Sequence, residues 1–178
     1  NIEFDTQPLT VTGGKLVVKG YGGIYADYVT ISGGVVEVEA EYGAITPGDT
    51  EKEDGFVTIS GGKVTLYSEY SDAIYSTGDI TVSGGEVILY GDYGIYADGN
   101  VTVTGGELEI EAYDDAIYAA GDVTISDGDI YIYSYSYNGI SAYGNITISS
   151  GDVVISVGGN YAIEACGDET AVTINGGF

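Results

Sequence analysis

The chain has no histidine, arginine, methionine or tryptophan, one cysteine, two prolines and four lysines among its 178 residues. Each shortage removes a class of chemistry. Without histidine a His-based triad is unavailable, and one thiol with no imidazole is not the usual zinc donor set. The single Cys166 excludes an intramolecular disulfide, leaving an idle thiol or an intermolecular link. The lysines (15, 19, 52 and 63) face 28 acidic residues, for a formal net charge of -24. Nucleic acid is therefore excluded as a partner, because phosphate contacts need cations. An anionic membrane surface is excluded for the same reason. No apolar run is long enough to cross a bilayer as a helix, so no membrane insertion is expected. A carboxylate pair such as Asp92 with Asp114 could still hydrolyse a sugar bond. Solvated acids are the simpler account of that pair, and a non-catalytic protein is expected.

What the chain does have is a repeat. An aliphatic residue, Thr and a second aliphatic residue recur at Leu9, Val29, Val57, Ile80, Val101, Val123, Ile146 and Val172, usually with Gly-Gly soon after. In seven repeats a further aliphatic residue stands nine positions on, at Val18, Val38, Leu66, Leu89, Ile110, Ile132 and Ile155, with another two residues before it. Alternation puts these residues inward and the Thr and charged residues outward. A third inward residue, always Ile, follows at 24, 45, 74, 95, 117, 140 and 163, each time after Gly or Ala. Three short strands in about 22 residues predict an all-β fold, a right-handed parallel β-helix (β-solenoid) with three strands per coil. About seven coils at roughly 4.8 Å each make a rod about 34 Å long, a single domain over residues 1–178. Length changes fall at the corners, the largest after Ile45, because a corner can loop out without breaking a ladder.

Four sets of outward residues are candidates for function. Tyr25, Tyr75, Tyr96 and Tyr118 each follow a third-strand Ile, so they point outward in one column that could serve as a sugar-binding platform. A second group, Tyr21, Tyr42, Tyr70, Tyr93, Tyr113, Tyr137 and Tyr161, stands at the corner before that strand. The same columns would also serve as lateral contacts between rods. Asp72, Asp92, Asp114 and Asp115 lie near the third strand, where carboxylate oxygens could hold Ca²⁺; no cofactor is required, and calcium is the candidate. Asp79, Asn100, Asp122 and Asn145 form a corner column that reads first as a hydrogen-bonded ladder. Asn100 and Asn145 also begin glycosylation sequons.

The unit Gly121-Asp122-Val123-Thr124-Ile125-Ser126, with the strand Gly94-Ile95-Tyr96-Ala97, resembles the carbohydrate-binding right-handed parallel β-helix surface proteins of cellulolytic clostridia. The resemblance covers nearly the whole chain. It implies a cell-surface polysaccharide binder with a pectate-lyase-like coil and bound Ca²⁺. Members of that family tend to carry Asp-Gly-Ile-His/Asn-Ala in the third strand. Here the corresponding segments are Asp115-Ala116-Ile117-Tyr118-Ala119 and Asp72-Ala73-Ile74-Tyr75, with Tyr in the polar position.

The ends favour a different reading. A solenoid needs polar caps, or its terminal coils expose core and ladder edges. No amphipathic helix stands at either end. Ile2 and Phe4 read as an isolated strand, and Val172, Ile174 and Phe178 as a first strand and turn with nothing after them. Joined on two molecules, these fragments are expected to complete a coil. That junction predicts an extracellular, secreted subunit that stacks head-to-tail into a filament, with self as partner. The alternative is a cell-surface module for pectin- or cellulose-like polysaccharide. The start at Asn1 also fits a processed secreted chain.

Overall fold

The computed structural model describes residues 7–47 and 55–176, together with the backbone of residues 2–4. All regular structure among the described residues is β. Strands β2 (Leu9–Ala26) and β3 (Tyr28–Pro47) each run through a whole coil. Strands β4 (Phe56–Ser68), β6 (Ile80–Gly91), β8 (Val101–Ala112) and β10 (Val123–Ser134) each hold the first and second strands of a coil. In the last coil these separate into β12 (Ile146–Ile148) and β13 (Asp152–Val157). The third strands are β5 (Ile74–Ser76), β7 (Ile95–Ala97), β9 (Ile117–Ala119), β11 (Ile140–Ala142) and β14 (Ile163–Ala165). Strands β1 (Ile2–Phe4) and β15 (Val172–Ile174) stand at the two ends. Every pairing is parallel and joins equivalent positions of successive coils, as in Val57↔Ile80, Leu66↔Leu89 and Ile74↔Ile95. The chain is thus a β-solenoid of about seven turns.

The alternation seen in the sequence is the burial pattern. In β8, Val101, Val103, Leu108 and Ile110 are at most 1% exposed, while Thr104, Glu107 and Glu109 face solvent. The three inward stacks of Val, Leu and Ile merge into one continuous core. Small residues close the coil where the wall turns most sharply. A Cβ at Gly94 would lie 2.1 Å from Ile110 Cγ2, and one at Gly23 2.1 Å from the Ala44 carbonyl oxygen. Glycine is therefore required at these two places; where Ala stands instead, as Ala44, Ala73 and Ala116, it is fully buried, which leaves room for a small side chain alone. Buried serines at such places bond to backbone: Ser134 Oγ donates to the Asp114 carbonyl at 2.7 Å, and Ser76 Oγ to the Gly55 carbonyl at 2.9 Å.

The corner between first and second strands is a stack of glycines. Gly62, Gly85 and Gly106 have φ of 88°, 94° and 92°, values an L side chain rarely adopts. Each also rests on the backbone of the coil before it: a Cβ on Gly85 would meet the Gly62 carbonyl oxygen at 2.8 Å. The opposite corner carries the expected Asx ladder. The Asn100 N–H donates to Asp79 Oδ1 at 2.7 Å, Asp122 N–H to Asn100 Oδ1 at 2.8 Å, Asn145 N–H to Asp122 Oδ1 at 2.6 Å, and Ala171 N–H to Asn145 Oδ1 at 3.1 Å. Both sequon asparagines are therefore rungs of this ladder, and Asn100 Nδ2 also donates to Asp79 Oδ1 at 3.0 Å.

At the ends, β1 pairs with the third strand inside β2 (Ile2↔Ile24), and β15 pairs with the first strand β12 (Val172↔Ile146). The two end strands fall on different faces. β1 continues the third-strand stack and β15 the first-strand stack. Val172 and Ile174 are 45% and 58% exposed on the open edge of β15. The side chains of Ile2 and Phe4, and all of Phe178, lie outside the described residues.

Candidate functional site

The third strands are only three residues long, so each shows one outward side chain. In β5, β7 and β9 that residue is Tyr, and register places Tyr75 beside Tyr96 and Tyr96 beside Tyr118. Their ring centroids are 5.5 Å and 4.5 Å apart, tilted by 49° and 32°. The row is half-buried, because each ring covers part of the next. Tyr25 belongs to the same column but is separated from Tyr75 by the coil that carries Thr46. Of the four tyrosines expected to act together, three form one ladder and the fourth stands apart.

Two further rings join the ladder. Tyr93 packs edge-on to Tyr96 at 5.1 Å and to Tyr118 at 6.1 Å. Tyr143, on the corner after β11, packs edge-on to Tyr118 at 6.2 Å. Tyr93 belongs by sequence position to the corner tyrosines, yet it packs differently from Tyr21, Tyr42 and Tyr70. Those three form a separate exposed ladder with centroids 5.0 Å and 5.7 Å apart. The signal lay in the count back from the Ile. Tyr93 stands two residues before Ile95, the place that Asp72 and Asp115 fill in the adjoining coils. Its ring consequently lies beside the third strand rather than out on the corner.

Carboxylates flank the row on both sides. On the far corner Asp98 accepts the Tyr75 hydroxyl at 2.9 Å. On the near corner lie Asp72, Asp92 and Asp114, and the charge of Asp92 acts on both of the others. Asp72 is pushed up to about 6, first by burial and then by Asp92 and Asp114, against a backbone hydrogen bond at Tyr93 that pulls it down. Asp114 is raised by burial, Asp115 and Asp92, and a hydrogen bond from the Tyr93 side chain partly offsets this. Burial, the bond to Asp98 and the charges of Asp98 and Asp72 push the Tyr75 phenol up to about 12. Burial and the neighbouring tyrosines push Tyr118 up to about 12 as well. Burial, Asp114 and Asp115 raise Tyr93 further. The rings thus stay neutral at physiological pH beside acceptors for hydroxyl groups.

The four acids named as calcium candidates do not form one cage. Among the described residues, no three acidic or thiol side chains are arranged to hold a metal ion. Asp115 is turned to the next coil instead: its oxygens accept the Asn138 N–H at 2.7 Å and the Ser141 hydroxyl at 2.5 Å. Asn138 extends this buried network, donating to Glu164 at 3.0 Å and accepting the Tyr161 N–H at 3.1 Å. The tyrosine row therefore stops at Tyr118, and Ser141 takes the next outward position almost fully buried. Cys166 is free and exposed on the corner that Tyr143 occupies one coil earlier. Among the described residues no helix is long and apolar enough to cross a membrane.

A family model described as carbohydrate-binding domain-containing protein matches residues 5–136 and, in a second match, residues 95–178. The overlap is what a repeat produces when a model is laid on it in two registers. The chain belongs to this family, in agreement with the resemblance carried by Gly121–Ser126 and Gly94–Ala97. No curated protein and no solved structure matched.

Proposed function

We propose that the chain is a non-catalytic, cell-surface or secreted module that binds polysaccharide along the row Tyr75, Tyr96 and Tyr118. The observation that carries this reading is the ladder itself: three neutral, half-exposed rings in line along the rod, one per coil, about 4.8 Å apart along its axis. An extended chain of pyranose rings lying along the rod would set successive sugars over successive tyrosines. The apolar faces of the sugars would stack on the rings, and their hydroxyls would bond to the flanking Asp98, Asp92 and Asp114. Membership of a carbohydrate-binding family supports the same reading. Binding of this kind draws on tyrosine and aspartate side chains. It also fits a protein of net charge -24 better with neutral glycans than with polyuronates.

Affinity electrophoresis through gels containing soluble cellulose derivatives, neutral pectic glycans or polygalacturonate tests the proposal. Retardation on a neutral glycan that Tyr96→Ala and Tyr118→Ala both weaken is expected. Unaltered mobility on every glycan would overturn it.

The filament reading has one observation in its favour, the exposed Val172 and Ile174 on an open parallel edge. An edge of this kind accepts any further coil, from the same chain or from another copy. Electron microscopy of the purified protein at high concentration tests end-to-end stacking, with fibres expected under that reading and single short rods against it.

A further inference from the structure

The second strands form another flat face of the rod, and its outward residues fall in three columns. One runs from Lys15 through Lys63 and Glu107 to Asp152; the next is centred on Ile88, with Val17 and Val154 at its ends; the third is centred on Tyr90. All three described lysines lie here, in the N-terminal half, each bonded to a glutamate one coil on. Lys15 meets Glu37 at 2.9 Å, Lys19 meets Glu39 and Lys63 meets Glu86. In the C-terminal half the same columns turn acidic and aromatic. Apolar surface is left open at both ends: Val17 is 46% exposed and Val154 51%.

We propose that this face is a self-complementary surface on which a second copy of the chain packs antiparallel, about a two-fold axis through Ile88. An isologous contact of this kind sets coil one against coil seven, two against six and three against five. In the first column Lys15 then faces Asp152 of the second copy, and Lys63 faces Glu107. In the second, Val17 meets Val154, and Glu37 meets the Tyr131 hydroxyl. In the third, Glu39 meets Tyr133, and Tyr67 meets Glu111. Ile88 and Tyr90 meet their own copies on the axis. Glu86 is the one carboxylate that faces its own kind, and Lys63 of the same chain already holds it.

Other arrangements lose this match. Moving the axis half a coil toward the N-terminus sets Glu37 and Glu39 against Glu109 and Glu111. A parallel copy sets Lys15 against Lys19, Glu107 against Glu111 and Glu37 against itself. The charge pattern therefore disfavours both of these arrangements. The face measures roughly 34 Å by 20 Å, or about 700 Å² on each copy, close to what a stable dimer buries. The tyrosine row lies on the third-strand face, so the dimer would present two glycan-binding rows.

Sedimentation equilibrium at about 0.15 M salt and up to about 100 µM protein tests the mass. A dimer is expected, with Lys63→Glu raising its dissociation constant by at least about tenfold, since the contact occurs twice. Adding Glu107→Lys to Lys63→Glu should restore most of the affinity. In a Cys166→Ser background, Ile88→Cys should cross-link into dimers with a short bismaleimide, and Thr147→Cys on the first-strand face should not. A monomer throughout, a dimer indifferent to Lys63→Glu, or equal cross-linking at Thr147→Cys would overturn the proposal.

Discussion

Tyr96 and Tyr118 stand at the same place in successive coils, with ring centroids 4.5 Å apart and planes tilted by 32°. The core beneath fixes that spacing, because Ile95 and Ile117 pair in the ladder and carry the two rings outward together. A row of rings set by a rigid sheet costs little ordering when a ligand arrives.

Removing either ring should therefore cost affinity with little cost in stability. Tyr96→Ala and Tyr118→Ala should each weaken glycan binding by about fivefold to tenfold, the scale of one aromatic contact. Thr147→Ala, on the first-strand face, should leave it unchanged. Gel retardation with thermal melts on the same proteins checks both statements.

Asp72 should make the fold less stable as pH rises. Its folded pKa, about 6, lies above the unfolded value of 3.8, so the folded chain holds a proton between about pH 4 and 6 that the unfolded chain releases. The favourable contribution is complete below pH 4 and is lost by pH 6. Asp72→Asn keeps an oxygen for the backbone bond and removes the buried charge. It should raise stability by roughly 1–3 kcal/mol at pH 7 and by almost nothing near pH 3.5, measured by urea melts at the two values.

The glycine corner holds both a required glycine and an unconstrained one. Gly85→Ala combines a φ of 94° with a Cβ 2.8 Å from the Gly62 carbonyl oxygen, and should cost about 2–4 kcal/mol. Gly13→Ala has nothing within 4 Å and no positive φ, and should change stability by less than about 0.5 kcal/mol. Denaturant midpoints of the two variants compare them directly.

The Asx ladder should behave as structure. Asn100→Ala removes the acceptor for the Asp122 N–H and the donor to Asp79, and should cost about 1–2 kcal/mol without changing glycan retention.

The coil was legible because burial leaves little choice. A residue such as Leu66, nine positions after Val57, can point inward only if the turn between them keeps its length, and the stacked glycines hold that turn constant. The small residue before each Ile follows from crowding too: a Cβ would not fit at Gly94, and Ala44, Ala73 and Ala116 are fully buried. The corners escape this logic. Their lengths vary, so a count forward from the second strand put Tyr93 with Tyr42 and Tyr70, while the structure sets it beside Tyr96. The buried Ser141 was hidden for a related reason: alternation calls it outward, but the Asp115–Asn138–Glu164 network covers it. At the ends, alternation could not assign faces, and β1 and β15 proved to lie on different ones.

Titration of the protein with neutral β-linked gluco- or galacto-oligosaccharides of increasing length, followed by NMR with labelled tyrosine, tests glycan binding along the tyrosine row. The ring signals of Tyr75, Tyr96 and Tyr118 should shift together, and affinity should climb with length until the row is spanned and then level off. Oligosaccharides that leave these three rings unmoved, or that shift Tyr131 and Tyr133 instead, would contradict it.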